Sequence, residues 1–319
     1  MALRWGRGGD VTLVIGTDEA GYGPNLGPLV VAATAWQLAA APEAVESVLA
    51  AAVAQACPLR MWGDSKAIYR GGAGLAPLER GVLVAAGLEG VSEPTNWASL
   101  VSALGITMAD PPPEGETLQA IRVPRHEHTP GCAALAAGIH GHLEARGVRL
   151  TALRCRVVQP AEFNAQLDRG LNKSDILSAV TLDLAAGLAD KAGDEPIVIW
   201  CDRHGGRRRY AAQVSRAFGG ALVSPLEETP TQSRYAIGSR RWIEFSVGGE
   251  SRTPVAVASM AAKYVRELSM LAFNSFWAGR QANLAATAGY PVDASRWRGE
   301  AQAAVNREGL GWDTIWRRA

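Results

Sequence analysis

Two adjacent carboxylates, Asp18 and Glu19, follow an apolar stretch near the start of the chain and precede a glycine-rich turn. Like charges placed side by side in a partly dry cleft repel one another, so the pair costs free energy. A divalent cation would remove that cost, and Mg²⁺ binds through carboxylate oxygens of this kind. The turn leads into a second apolar run at residues 29–35 and not into a helix. The pattern therefore predicts a metal-dependent active site on a β-hairpin.

Two further acidic residues also end apolar stretches: Asp202 follows residues 196–201, and Glu250 follows residues 243–247. Side chains at strand ends on one edge of a sheet can meet although they are far apart in sequence. Two-metal phosphoryl chemistry needs such a cluster of oxygen ligands, with cations roughly 4 Å apart. We therefore expect all four carboxylates to converge. The alternative at any single position is a solvated cap or a turn-forming residue.

Hydrophobic periodicity predicts the elements that would position these side chains. Strands are predicted at residues 11–17, 29–38, 153–158, 196–201 and 243–247, and helices at residues 42–56, 75–87, 133–146, 172–192 and 254–280, with another helix opening at Arg207. The wholly apolar run at 196–201 is typical of a central strand that is covered on both faces. Residues 88–131, which contain three consecutive prolines and scattered glycines, are expected to be irregular.

The chain has 319 residues, of which 48% are hydrophobic and 20% charged, so a packed core is expected and global disorder is excluded. The formal net charge of +1 means that a nucleic-acid partner would be held by local basic patches and not by a global field. We expect a main domain over residues 10–280, with residues 88–150 as an insertion or subdomain. Residues 281–319, which carry three tryptophans, are expected to pack back on this body as a C-terminal extension.

Four cysteines lie far apart and form no CxxC pair, a pattern that suits a reducing compartment. The N-terminal residues lack a continuous apolar signal segment, and the chain contains no run of about 20 apolar residues. These features predict a cytoplasmic protein that makes no membrane contact.

Several motifs resemble, in order, those of the type 2 ribonucleases H, ribonuclease HII and HIII. The most specific are Thr-Asp-Glu-Ala-Gly-Tyr-Gly at residues 17–23 and the helix that follows Glu250. Weaker matches are Asp64-Ser65-Lys66, Leu171-Asn172-Lys173, the apolar strand that ends at Asp202, and Gly289-Tyr290-Pro291.

The resemblance implies an α/β protein with a ribonuclease H-like fold, in which helices flank a mixed central sheet. It implies that Asp18, Glu19, Asp202 and Glu250 are the catalytic, metal-binding residues, with Mg²⁺ or Mn²⁺ as the cofactor. The implied reaction is hydrolysis of the RNA strand of RNA–DNA hybrids, which leaves 3′-hydroxyl and 5′-phosphate ends. The implied partner is such a hybrid or a ribonucleotide-containing duplex, and no obligate protein partner is indicated.

The resemblance also implies a set of substrate-binding residues: Gly21, Tyr22, Gly23, Lys66, Arg203, Ser259, Lys263 and Tyr290. Two positions depart from the family pattern, since Tyr22 replaces a basic residue and Arg203 replaces a glycine. Glutamate at position 250 is the ribonuclease HIII choice, whereas the 17 residues before Asp18 match the layout of ribonuclease HII. These departures leave two alternatives open: a nuclease of the same fold redirected to DNA or branched substrates, and a non-catalytic nucleic-acid-binding protein.

Further charged and titratable residues have possible roles. Arg266, one turn beyond Lys263, and the run Arg207-Arg208-Arg209 could contact a phosphate backbone, or could simply be solvated. His204, beside Asp202, could carry a proton to the leaving group. A zinc site is a minor alternative for the group His126, His128, Cys132, His140 and His142, whose spacing fits no standard finger.

Overall fold

A mixed sheet of eight strands forms the centre of the fold. The computed structural model of the chain describes residues 11–57, 61–63, 68, 74–126 and 131–318. The strands are β1 (Val11–Ala20), β2 (Leu29–Ala39), β3 (Ile106–Thr107), β4 (Val148–Val158), β5 (Ile197–Asp202), β6 (Val223–Glu228), β7 (Gln232–Ile237) and β8 (Arg241–Ser246). Their order across the sheet is β3-β4-β2-β1-β5-β8-β7-β6.

The middle of the sheet brings three strand ends together. β1 and β2 form the predicted antiparallel hairpin, and β5 pairs in parallel with β1 on one side and with β8 on the other. The carboxyl ends of these three strands therefore lie at the same edge, with Thr17 in register with Cys201 and Asp202 in register with Ser246. The central position predicted for β5 is confirmed, as is the α/β class with a mixed central sheet flanked by helices.

Helices cover both faces of the sheet. In chain order they are α1 (Val45–Ala56), α2 (Ala76–Leu88), α3 (Trp97–Ala103), α4 (Gly115–Gln119), α5 (Cys132–Glu144), α6 (Pro160–Asp168), α7 (Lys173–Ala189), α8 (Ala211–Ala217), α9 (Thr253–Ala278) and α10 (Pro291–Arg307). The largest hydrophobic cluster joins α9, α1, α2 and α5 to one face, and a second joins α7 and α8 to the other. The long helix α9 has apolar residues almost all round, as expected for a helix buried in a core.

A close approach between β1 and the start of α9 depends on Gly16. A Cβ atom at Gly16 would lie 2.3 Å from the carbonyl carbon of Pro254, which is well inside van der Waals contact. Thr34 on β2 fixes the same point, because its hydroxyl donates to the Pro254 carbonyl over 2.8 Å. The missing side chain thus lets the first turn of α9 dock beside the end of β1.

Three sequence expectations differ from the structure. Residues 88–131, expected to be irregular, contain α3, β3 and α4, and their apolar side chains join the largest core cluster. The antiparallel pair β6–β7 was not predicted, since its strands are short and β6 is largely exposed at the sheet edge. The helix expected to open at Arg207 begins at Ala211. Whether residues 88–150 are an insertion stays a prediction.

The C-terminal residues pack on α9. The indole of Trp297, in α10, lies 5.0 Å from the Phe273 ring and 5.5 Å from the Trp277 ring, measured between centroids. Trp312 and Trp316 border the same cluster. A search of the described helices for a stretch long and apolar enough to cross a bilayer finds none.

Gly16→Ala should lower the free energy of unfolding by about 2 kcal/mol or more, because the new methyl group overlaps the backbone of α9. Chemical denaturation followed by circular dichroism measures this. Gly187→Ala is the matched control: Gly187 lies in α7 with no heavy atom within 4 Å of the added Cβ. It should gain about 1 kcal/mol from helix propensity. Equal effects of the two substitutions would contradict the close packing at Gly16.

Glu114→Gln should change the pH dependence of stability. Glu114 is buried, its Oε2 has no hydrogen-bond partner among the described residues, and burial raises its pKa from 4.5 to about 7. Because the folded state holds this proton more tightly than the unfolded chain, ionisation destabilises the fold as the pH rises from about 4.5 to about 7. A shift of this size corresponds to roughly 3 kcal/mol. The stability of the unchanged protein should therefore fall relative to the variant across that window, and parallel thermal melts at both ends would reveal it. A constant difference would contradict the assignment.

Candidate active site

Asp18 and Glu19 occupy the end of β1, where the strand meets the glycine-rich turn. The Asp18 side chain is on the same face of β1 as Gly16 and Val14, the face that packs on α9, and Asp18 is only 6% exposed. The Glu19 N–H donates to Asp18 Oδ1 over 2.8 Å. The pair is thus held by the strand itself, at the point where α9 docks.

Asp202 and Glu250 come from the neighbouring strand ends. Asp202 is the last residue of β5, and its Oδ1 accepts a hydrogen bond of 3.0 Å from the N–H of Gly249. Glu250 lies in a short 3₁₀ turn after β8, and its Oε1 accepts a hydrogen bond of 2.8 Å from the hydroxyl of Ser259 on α9. The turn and the helix therefore fix the orientation of both carboxylates.

The pKa values show that the four acids act on one another. Burial raises the pKa of Asp18 well above its ordinary value, and the charges of Glu19, Asp202 and Glu250 raise it further, while a hydrogen bond with Ser259 opposes the rise. Burial also raises the pKa of Glu19 to about 7, with added repulsion from Asp202 and Glu250. The strand ends thus bring the four acids near enough to raise the cost of ionising one another.

The oxygen donors suit a hard divalent cation in their chemistry. In the part of the chain that the structure describes, however, no three His, Cys, Asp or Glu side chains are grouped so that they could hold a metal ion. The four acids thus act on one another electrostatically, and their binding of a shared ion stays a prediction.

The turn after β1 approaches other backbone segments very closely. Gly21 has a φ of +88°, and a Cβ there would lie 2.5 Å from the carbonyl oxygen of Pro28. Only glycine adopts this conformation without strain. Gly23 is exposed, and a Cβ there would lie 3.6 Å from the ring of Tyr290, which is itself 56% exposed. Gly23 and Tyr290 thus border the same open surface.

Tyr22 turns toward the start of α7 and the loop after β5. The ammonium of Lys173 lies 4.6 Å from the centroid of its ring. A Cβ atom at Gly205 would lie 3.0 Å from the Tyr22 hydroxyl, so that glycine makes room for the ring. Burial raises the pKa of Tyr22, and the charge of Glu19 contributes. Tyr22 thus contacts Lys173 through its ring and experiences the charge of Glu19.

Two buried arginines support the glycine-rich loop. Arg266 donates to the carbonyl of Ala288 over 3.0 Å. Because Arg266 is only 5% exposed, the structure contradicts its expected role in phosphate contact. Arg317, 1% exposed, donates to the carbonyls of Gly21, over 2.6 Å, and Pro24. Sequence analysis missed Arg317, and only the expectation that the tail packs back pointed toward it.

The arginines closest to Asp202 in the basic loop bond to other groups of the protein. Arg203 donates to the carbonyls of Arg207, over 2.8 Å, and Pro230. The Arg207 guanidinium bonds to the Ser174 hydroxyl over 3.0 Å and forms an ion pair with Asp175. Arg208 and Arg209 are exposed and precede α8. Only these last two side chains of the run are placed as the phosphate-contact hypothesis requires.

His204 is not suited to carry a proton, which corrects the expectation from its sequence position. It is 1% exposed, its Nδ1 lies 2.9 Å from the Ser178 hydroxyl, and it packs edge-on against the rings of Tyr210 and Phe245. Burial lowers its pKa to about 3, and the charge of Arg207 adds to the effect. The imidazole stays neutral and supports the loop that follows Asp202.

The remaining predicted residues are dispersed. Ser259 and Lys263 lie on α9, Ser259 buried and Lys263 partly buried. Lys66 lies outside the described residues, as does His128 of the suggested zinc group. Of that group, Cys132 is buried in the main core, and His126 bonds to Glu79 over 3.3 Å.

Glu19→Gln should raise the melting temperature in the presence of EDTA at pH 8 by a few degrees, because it removes a partly buried charge that Asp202 repels. Differential scanning calorimetry measures the change. Glu43→Gln, an exposed position, is the matched control and should leave the melting temperature within about 1 °C. A melting temperature of Glu19→Gln at or below that of the unchanged protein would show that the acids do not repel one another.

Comparison with protein-family models gives no match, and no curated protein matches the sequence. Among solved structures, the chain is similar to ribonuclease HII from Archaeoglobus fulgidus, determined in complex with PCNA, at 15% identity and a TM-score of 0.43. That match covers 96% of this chain and 94% of the other. It is also similar to ribonuclease H2 from Pyrococcus horikoshii OT3, at 13% identity and a TM-score of 0.42, over 95% of this chain and 92% of the other.

A third similar structure is Bst-RNase HIII in complex with Mn²⁺, at 14% identity and a TM-score of 0.42; the match covers 96% of this chain and 66% of the other. The partner and the metal are features of those proteins. Over nearly its whole length the chain is similar to these type 2 ribonucleases H, and its own structure is an α/β fold with a mixed eight-stranded sheet.

Proposed function

We propose that the protein is a divalent-metal-dependent endonuclease that hydrolyses the RNA strand of RNA–DNA hybrids and leaves 3′-hydroxyl and 5′-phosphate ends. The observation that carries this proposal is the mutual electrostatic effect of Asp18, Glu19, Asp202 and Glu250 at one edge of the sheet. Partly buried carboxylates that repel one another favour a cation, and a cation at this edge would face a phosphodiester in the open surface beside Gly23. The sequence motifs at these positions support the same reaction.

The four carboxylates would hold Mg²⁺ or Mn²⁺, which, when bound, activates water for in-line attack on phosphorus and stabilises the developing charge. Ser259 orients Glu250, and the N–H of Gly249 orients Asp202. Gly23 borders the open surface, where a ribose and phosphate can approach the backbone, and Gly21 lets the turn pack closely against Pro28.

One observation favours a second substrate class. Tyr22 stands where the resemblance implies a basic residue, and its ring packs toward Lys173 and Gly205. A changed turn beside the carboxylates would alter how the site recognises a ribose 2′-hydroxyl. A DNA or branched substrate is therefore the alternative for the same metal centre.

The purified protein should nick the RNA strand of a labelled hybrid when Mg²⁺ or Mn²⁺ is present, and Asp202→Asn should reduce the rate at least about 100-fold. Loss of one group that stabilises transition-state charge has an effect of that size. Denaturing gel electrophoresis, with end-labelling of the products, measures the rate and identifies the ends. Asp194→Asn is the matched control, because Asp194 is exposed in the loop before β5 and should retain full activity.

Hybrid left intact under both metals would contradict the proposed function. Cleavage of a DNA duplex or a branched DNA in preference to the hybrid would replace it with the alternative substrate. Isothermal titration with Mn²⁺ separates either result from a protein without a metal centre, because the unchanged protein should bind the ion and Asp202→Asn should bind it more weakly.

A further inference from the structure

Lys173 is placed where a cation is unfavourable in three respects. It is the first residue of α7, whose Asn172–Asp175 capping box closes the helix start, so its ammonium lies at the positive end of the helix dipole. It is partly buried, and burial together with the charge of Arg317 lowers its pKa.

The face of the Tyr22 ring is what holds this ammonium. The distance of 4.6 Å from Nζ to the ring centroid is typical of a cation–π contact, which contributes on the order of 1 kcal/mol at a partly exposed site. Tyr22 is in turn fixed by the close approach of Gly205 to its hydroxyl. The pair Lys173–Tyr22 is therefore a defined unit at the rim of the glycine-rich turn, three residues from Glu19.

The positive charge near Lys173 continues beneath the turn. Arg317 and Arg266 are both buried, and the charge of Arg266 makes the charge of Arg317 less favourable. The Nε atoms of both have no hydrogen-bond partner among the described residues. Burial and the neighbouring Arg266 charge lower the pKa of Arg317 to about 9. Backbone carbonyls satisfy part of both guanidinium groups, but carbonyl dipoles do not neutralise the charge.

We infer that Lys173, held on the ring of Tyr22, binds a backbone phosphate of the nucleic-acid substrate, with Arg317 beneath the turn adding to the positive potential. An anion beside Lys173 would offset each of the three unfavourable terms. A phosphodiester fits, because the carboxylate cluster beside the turn is itself the proposed place of phosphodiester hydrolysis; the inference rests on that proposed function in this respect. Lys173 is a substrate-binding residue in this assignment, and Tyr22 is its positioning residue.

The salt dependence of duplex binding tests the inference. Fluorescence anisotropy in EDTA, where cleavage cannot interfere, gives the affinity for a labelled RNA–DNA hybrid and for a DNA duplex of the same sequence over a series of KCl concentrations. Lys173→Met should weaken binding severalfold and make the slope of log affinity against log salt shallower by about 0.9, the value for one lost phosphate contact. Lys173→Arg should retain the slope.

The positioning role of Tyr22 is tested with variants of Tyr22 itself. Tyr22→Phe keeps the ring face and should bind as the unchanged protein does, whereas Tyr22→Leu should lose part of the affinity. The matched control for charge is Lys191→Met, which removes a lysine beyond the opposite end of the same helix and should leave the slope unchanged. Lys173→Met should also melt at a higher temperature than the unchanged protein, because it removes an unfavourable charge, so that weaker binding would not reflect unfolding.

An unchanged slope for Lys173→Met would overturn the inference, and so would an equal loss in Lys191→Met. Equal affinities of Tyr22→Leu and the unchanged protein would overturn the positioning role. These outcomes distinguish the phosphate contact from the proposed function. If the protein cleaves the hybrid but Lys173→Met leaves the salt slope unchanged, only the phosphate contact is refuted. A slope that depends on Lys173 without any cleavage refutes only the reaction.

Discussion

The parallel pairing of β5 with both β1 and β8 is the constraint on which the site depends. Parallel strands end at one edge, so the pairing alone places Asp18 and Glu19, Asp202 and the turn that carries Glu250 side by side. The helix α9 then closes the edge from one face, and it does so because Gly16 has no side chain. Ser259, on the second turn of that helix, reaches Glu250 only because the helix begins at this point.

Acidic and basic side chains form separate groups near the glycine-rich turn. The carboxylates lie at the strand ends, Lys173 lies on the ring of Tyr22, and Arg317 and Arg266 bond to the carbonyls of Gly21 and Ala288. Folding brings together charges that repel within each group, so this region lowers the stability of the molecule. Proteins commonly tolerate such a cost at functional sites. The proposed ligand, a phosphodiester accompanied by a divalent cation, would carry charges that complement both groups.

The sequence was most informative where local pattern and long-range structure agree. The hairpin, the apolar central strand and the helix after Glu250 could be predicted because each has a clear hydrophobic pattern or turn signal. β6 and β7 could not, since their exposed residues resemble a loop, and the three prolines at 111–113 hid the short elements of residues 88–131. His204 and Arg266 illustrate a different difficulty. Their residue types suggest chemistry, but both are buried and have a structural role, and only the tertiary structure reveals this burial.

The contact of Arg317 with the first loop links distant parts of the chain. The tail runs antiparallel to the loop at Leu26 and Trp316, and Asn25 exchanges two hydrogen bonds with the backbone of Arg317. The Arg317 guanidinium donates to the carbonyls of Gly21 and Pro24. During translation, the turn that follows the first strand therefore lacks its support until the ribosome has released the chain as far as residue 317. The sheet of the nascent protein would therefore be assembled before this turn becomes rigid.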